Sequence, residues 1–205
     1  MASQRTRSLD RLKELNPVFT VGTLGQLFGM PPGVASTYIA RWKELGLVAS
    51  LGERTGIHFN LLKDPAGPRD RRQEAIAYLL PGARIIGASA LHAAGWTTQY
   101  PRRLEIAVPP RRTLPAIPDV DISQRPKIWF STAGRELLRD GHIPVLAPAE
   151  ALADAWKTGL WRPDPDELEW DEIDREAVSR AFRRQGIDLP SDWDVTTDEP
   201  CFPDF

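Results

Sequence analysis

Asp119-Val120-Asp121 is the arrangement in this chain that comes nearest to a catalytic one. Residues i and i+2 of a strand point the same way, and alternate aspartates on a strand can hold magnesium for nucleotidyl transfer. Such a site also needs a Gly-Ser turn and a helix just upstream to seat phosphates, and Gly87 and Ser89 lie too far away to serve. Pro118-Asp119 with Lys127 likewise lacks the acid-x-Lys strand that would complete a nuclease pattern. His58, His92 and His142 are too widely spaced to pair on a metal. Cys201 is the only cysteine, which excludes an intrachain disulfide and a cysteine zinc cage. There is no glycine-rich phosphate loop and no serine-centred nucleophile elbow. No catalytic residue, metal or cofactor is expected.

The side chains with binding chemistry lie elsewhere. A helix from Pro32 to about Leu45 can be drawn as a wheel of about 100° per residue. Ala35, Tyr38, Ile39, Trp42 and Leu45 fall on one face and read as core. Gly33, Ser36, Thr37, Ala40 and Lys43 fall on the other, with Arg41 at the flank. Small residues let a helix backbone approach a DNA groove. Ser36 and Thr37 could donate to phosphates or base edges, and Arg41 could bridge to a guanine or a phosphate. Arg54, in the turn Gly52-Glu53-Arg54-Thr55-Gly56, could reach a phosphate or the minor groove. Arg5, Arg7, Arg11 and Lys13 could add unspecific, salt-sensitive attraction. The expected DNA-binding set is therefore Ser36, Thr37, Ala40, Arg41, Lys43 and Arg54. A second basic set, Arg102, Arg103, Arg111 and Arg112 around Pro109-Pro110, could hold RNA, DNA or an acidic protein face, or form a solvated rim.

Specific elements must position these residues. Leu9, Leu12 and Leu15 mark a helix over 8–15, ended at Asn16-Pro17. Thr20 offers an N-cap for a helix over 21–28, broken at Gly29-Met30-Pro31. Pro32 suits the first turn of the next helix, and Gly46 suits its end. Leu47–Leu51 and Ile57–Leu62 flank the glycine-bounded turn as a hairpin. Helix, helix, tight turn, helix, hairpin is the plan of a winged helix-turn-helix, expected over 1–63. The same plan also serves as a protein-docking module.

A linker follows at 64–70, with Pro65, Gly67 and Pro68. Residues 70–160 read as a mixed α+β domain. Helices are expected at 71–80, 88–94 and 148–157, and strands at 83–86, 104–108, 117–122, 127–131 and 143–146. Residues 161–205 read as an acidic tail whose one helix spans 165–185. The fold class is α+β, a winged helix-turn-helix followed by a mixed α/β second domain and an acidic helical tail.

The charge follows this division. The whole chain of 205 residues carries a formal net charge of only −2, which argues against indiscriminate nucleic-acid binding. Residues 1–63 carry eight Lys/Arg against four Asp/Glu, whereas 161–205 carry five against fourteen, so head and tail present different surfaces. No apolar run approaches the ~18–20 residues of a membrane span, and no signal segment opens the chain, so a soluble cytoplasmic protein is expected.

Three stretches carry a resemblance. Phe19-Thr20-Val21 through Leu27-Phe28-Gly29, Tyr38-Ile39-Ala40-Arg41-Trp42 and Leu45-Gly46-Leu47-Val48 form the first group. The second is Gly87-Ala88-Ser89-Ala90-Leu91-His92-Ala93-Ala94-Gly95-Trp96-Thr97-Thr98-Gln99, followed by Leu104-Glu105-Ile106-Ala107-Val108. The third is Ile143-Pro144-Val145 with Ala147-Pro148-Ala149-Glu150-Ala151-Leu152-Ala153-Asp154. Over about 18–158 the chain resembles the AbiEi antitoxins of type IV toxin–antitoxin systems. Trp96 and Trp156 depart from that pattern, and the tail after 160 has no counterpart in it. The resemblance implies an autorepressor that binds inverted repeats of double-stranded DNA in its own promoter. It implies a second domain that counters a nucleotidyltransferase toxin without a stable complex, and a monomer in solution that binds DNA cooperatively. A ligand-responsive winged-helix transcription factor with no toxin partner is the competing expectation.

Overall fold

The computed structural model describes residues 2–190 and residue 193. The chain is mixed α+β and divides into two compact units, residues 1–82 with 112–120, and residues 83–111 with 121–205. The expected tail beyond 190, apart from Trp193, and Cys201 with it, lies outside the described residues.

In the first unit, α1 (Ala2–Glu14) leads into β1 (Val18–Thr20), α2 (Val21–Phe28), α3 (Pro32–Glu44), β2 (Val48–Ser50) and β3 (Ile57–Asn60). The strands form an antiparallel sheet in the order β1-β3-β2, with Phe19 opposite His58 and Ser50 opposite His58 on the other side. Strand β1 extends the expected two-stranded hairpin. It is only three residues long, and Thr20 both ends it and caps α2, which is too short for alternation to reveal. The core collects Leu12 from α1 and Leu15 just past its end, Phe19, Leu24, Met30, Val48, and Ala35, Ile39 and Trp42 from α3.

The stretch read as a linker is folded. It contains the short helix α4 (Gly67–Asp70), and Asp64 accepts a 2.6 Å ion-paired hydrogen bond from Arg71. Helix α5 (Arg72–Leu79) follows with Ala75 and Ile76 buried. The first compact unit thus runs past the expected boundary at 63, to Gly82, and takes in 112–120 as well.

The second unit is built on a five-stranded sheet of β4 (Arg84–Ile85), β5 (Leu104–Val108), β6 (Val120–Gln124), β7 (Leu137–Arg139) and β8 (Val145–Leu146), in the order β6-β5-β4-β8-β7. Strand β4 runs antiparallel to β5 and parallel to β8. Helices α6 (Gly87–Ala94), α7 (Pro148–Thr158) and α8 (Arg175–Gln185) pack in series, α6 on α7 and α7 on α8.

Three expected elements differ. The strand expected over 117–122 begins only at Val120, because Pro118 and the left-handed Asp119 (φ 51°) interrupt it. Residues 127–131 form a 3-10 helix, not a strand; Pro126 sets its start, and the Trp129 ring packs on Gly134, where a Cβ would collide with it. The helix expected over 165–185 is confined to α8. Before it come two single 3-10 turns, and the Asp174 side chain accepts from the Ala177 N–H at 2.9 Å, which fixes the start of the helix at 175. Val178, Ala181, Phe182 and Gln185 bury one face of α8. The described part of the tail is therefore built into the second unit, and Trp193 joins Trp156 (4.9 Å), Trp170 (5.6 Å) and Phe182 (6.0 Å) in an aromatic cluster.

Two buried polar groups in this framework have measurable consequences. Arg125 forms a fork on Asp154, Nε to Oδ1 at 3.0 Å and Nη2 to Oδ2 at 2.7 Å, with side chains 9% and 2% exposed. Removing one partner strands the other charge in low dielectric. Arg125→Met is therefore expected to cost ~3–5 kcal/mol in denaturant unfolding, and Arg125→Met with Asp154→Leu to recover most of that loss.

The second group is His58. Its pKa is lowered from 6.5 to about 4, first by burial and then by the charge of Lys43, while Nδ1 lies 2.9 Å from the Ser50 hydroxyl. The folded chain holds it neutral, whereas the unfolded chain protonates it below about 6.5. Its contribution is complete above pH 6.5 and is lost as pH falls from there towards about 4. A pH titration of stability is expected to be shallower across that window in His58→Gln than in the wild type.

Candidate nucleic-acid interface

Helix α3 owes its position to contacts on its inner face and at its ends. The Thr20 hydroxyl accepts from the Thr23 N–H at 3.2 Å while the Thr20 N–H donates to the Thr23 hydroxyl at 3.1 Å, so α2 is capped reciprocally. Gly29 ends α2 at φ 63°, a left-handed value that favours glycine, and the chain turns through Met30-Pro31 into α3. Ala35, Ile39 and Trp42 are buried, and Tyr38 is half-buried. Leu45, expected on the same face, is exposed: it is the C-cap, one residue past the last helical turn.

Long-range polar contacts tie α3 to α1. The Trp42 indole N–H donates to the Ser8 hydroxyl at 3.0 Å. The Arg11 guanidinium lies over the rings of Phe28 (5.9 Å) and Tyr38 (5.3 Å) and donates to the Tyr38 hydroxyl at 2.8 Å. Asn60, fully buried at the end of β3, donates from Nδ2 to the carbonyls of Leu12 (2.8 Å) and Leu15 (3.2 Å), satisfying the C-terminal end of α1. Arg11 thus joins three helices, where the sequence suggested only diffuse attraction for DNA. Lys13 pairs with Asp10 at 3.6 Å.

On the outer face Gly33, Ser36, Thr37, Ala40, Arg41 and Lys43 are all exposed, as the wheel places them. Ser36 donates its hydroxyl proton to the Pro32 carbonyl (2.9 Å), and Thr37 donates to that of Gly33 (3.0 Å). In this rotamer each hydroxyl proton is committed to its own helix, and the oxygen keeps lone pairs that can accept. Arg41 and Lys43 form no ion pair with any described residue.

The turn between β2 and β3 is closed by Leu51 N–H to the Ile57 carbonyl (3.1 Å) and by the Thr55 hydroxyl to the Gly52 carbonyl (3.0 Å). Arg54 is exposed at its tip with φ 56°, an uncommon value for a side chain with a Cβ. Lys43 is near enough to this sheet for its charge to act on His58.

The second basic set is divided. Arg112 belongs to the first unit, and Arg102, Arg103 and Arg111 to the second. Arg103 is ion-paired with Asp121 at 3.1 Å, and the Arg111 backbone N–H donates to the Gln124 side chain at 2.9 Å. Asp119 lies in the turn before β6 and not on it, so the alternation that would place two aspartates on one strand face is broken. His92 is half-buried, edge-on to Tyr100 at 5.1 Å. Among the described residues no cluster of three His, Cys, Asp or Glu could hold a metal, and no helix is long and apolar enough to cross a membrane. Sequence reasoning missed Asn60, Arg125 and Asp154. Asn60 had a signal, a carboxamide ending the apolar run Ile57–Phe59, but nothing local discloses its partners on α1.

No protein-family model matches the chain, and no curated protein does. Among solved structures the chain is similar to the RV2827C protein from Mycobacterium tuberculosis, with 19% identity, a TM-score of 0.57, and coverage of 86% of this chain and 69% of that one. At that identity the likeness is one of fold.

Arg11 and Arg41 differ in what they hold together among the described residues, and stability measurements distinguish them. Arg11→Ala removes two ring contacts and a charged hydrogen bond and is expected to cost about 1–3 kcal/mol. Arg41→Ala, at an exposed position with no ion pair among the described residues, is expected to stay within about 0.5 kcal/mol of wild type. Equal losses for the two variants would overturn this division.

Proposed function

We propose that the first unit is a winged helix-turn-helix that binds double-stranded DNA, with α3 in the major groove and the β2–β3 turn as its wing. The observation that carries this reading is the outer face of α3. It presents small residues, two hydroxyls and two cations that form no ion pair with any described residue, while its inner face is fixed to α1 and α2. Arg54 at the wing tip supplies a further cation. Ser36, Thr37 and Ala40 would face base edges, and Arg41, Lys43 and Arg54 would meet phosphates or a guanine edge.

The reading extends to a binding protein without catalytic chemistry, an autorepressor acting in the cytoplasm as a monomer that occupies inverted repeats in its own promoter. The similarity of 18–158 to AbiEi antitoxins supports giving it the role of antitoxin against a nucleotidyltransferase toxin. A ligand-responsive regulator is the second reading. It is favoured by a cavity of about 150 Å³ in the second unit, whose walls include Ile86, Glu105, Ser123, Asp154 and Trp161. Burial raises the Glu105 carboxyl above its usual range, against the opposing effect of the Ala88 and Ser89 N–H groups.

The test is a gel shift on the DNA upstream of the gene, beside unrelated DNA, with wild type and Arg41→Ala/Arg54→Ala. Each lost contact is worth about 1–3 kcal/mol, so the double variant is expected to bind at least tenfold more weakly and with a shallower salt dependence. Equal affinity for both DNAs, or an unaffected double variant, would remove the specific-repressor reading. Co-expression with a neighbouring nucleotidyltransferase tests the antitoxin role separately, since an antitoxin must restore growth.

A further inference from the structure

Residues 112–120 leave the strand-to-strand connection between β5 and β6 and belong to the first unit. They are fastened there at several points. Ile117 is 3% exposed. Arg72 of α5 donates to the Pro118 carbonyl. The wing turn makes room for the segment: a Cβ on Gly52 would stand 2.7 Å from the Ala116 carbonyl oxygen and 3.1 Å from Pro118 Cδ. Asp119, at φ 51°, then turns the chain into β6. Pro115 and Pro118 fix two of the backbone φ angles in the segment. Before these anchors Arg112, Thr113 and Leu114 are exposed, and Arg112 forms no ion pair with any described residue.

We propose that residues 112–118 are a second basic loop beside the wing, placing Arg112 on a DNA phosphate next to the one reached by Arg54. The inference rests on the DNA-binding reading and adds a contact from outside the helix-and-hairpin unit. Ala116 touches the wing turn, and four residues of chain span at most ~14 Å, so Arg112 stays within that distance of the contact. Pro115 and Pro118 already restrict the loop that carries Arg112, which lowers the ordering cost of meeting a phosphate. Glu53 and Asp119 lie on the same two elements, so the loop supplies a fixed cation and not a broad positive field. Phosphate contacts carry no sequence information, so Arg112 strengthens binding to specific and unrelated DNA alike.

The experiment measures the affinity and salt dependence of the full chain on its upstream DNA for wild type, Arg112→Ala and Arg54→Ala, with amide hydrogen exchange on the wild-type complex. Arg112→Ala is expected to weaken binding about three- to tenfold on both DNAs, to reduce the salt slope by about one, and to leave the melting temperature unchanged. Residues 112–118 are expected to gain protection with DNA. Gly52→Val, which pushes the loop off the wing, is expected to weaken binding further, and the Arg112 result stands alone if that variant does not fold. Wild-type binding with no effect of Arg112→Ala and no protection of 112–118 overturns the loop and leaves the wing intact. Absence of specific binding by the wild type overturns both.

Discussion

The indole N–H of the buried Trp42 is satisfied by a side chain on another helix, the hydroxyl of Ser8, and an unpaired donor at that depth would be costly. This constraint sets the orientation of α3. With the ring 1% exposed and its N–H committed, rotating α3 about its axis would expose the indole and leave the N–H unpaired. The stacked Arg11 and the buried Asn60 act in the same sense, binding the C-terminal end of α1 to α2, α3 and β3. The outer face of α3 is therefore presented at a fixed angle to the β2–β3 turn. On the DNA-binding reading proposed above, that rigidity would limit the entropy lost on docking against a duplex.

The second unit uses its polar groups differently. The Arg125–Asp154 fork joins the end of β6 to α7 through the interior. Gly87, at φ 56°, starts α6 where the Glu105 side chain leaves no room for a Cβ. Arg184 of α8 pairs with both Glu136 and the buried Glu150, at 3.1 Å for the latter, fastening α8 to the start of α7. These ties hold the described part of the acidic tail within the second unit and make α8 one of its layers. The acidic excess of 161–190 is partly neutralised within α8 itself, where Arg180 pairs with Glu176 at 3.2 Å.

Local physics was legible wherever one helix face was buried and the other bare. Both faces of α3, the caps of α2 and the glycine stops of α3 and α6 follow from residue types at short spacing. Leu45 was misplaced because periodicity does not say where a helix ends, and one residue past the end the wheel no longer applies. Strand β1 was hidden because Thr20 serves both strand and cap. Residues 127–131 are apolar enough for a strand, but their conformation is set by Trp129 meeting Gly134, a contact no local window shows. The placement of 112–120 was illegible for the same reason. It depends on Gly52 and Arg72, forty or more residues earlier, and a turn glycine reads the same whether it supplies a φ value or space for a passing chain.

Gly33 and Arg54 each occupy a position that the fold alone does not explain. Gly33 lies in the first turn of α3 with a negative φ, and a Cβ there would meet nothing within 4 Å. Neither backbone conformation nor packing requires glycine, although glycine in a helix is up to about 1 kcal/mol less favourable than alanine. Arg54 presents the opposite case: a left-handed backbone position that suits glycine is occupied by a long cation, at a strain of about 1 kcal/mol. Each residue works slightly against the isolated fold, and both lie on the surface proposed to meet DNA. On that proposal a bare backbone at 33 would let a phosphate or base edge approach the helix closely, and an arginine at 54 projects a charge from the tip of a closed turn. A surface selected only for folding would favour alanine at the first position and glycine at the second, so the pair is better explained by what the surface meets than by what the interior needs.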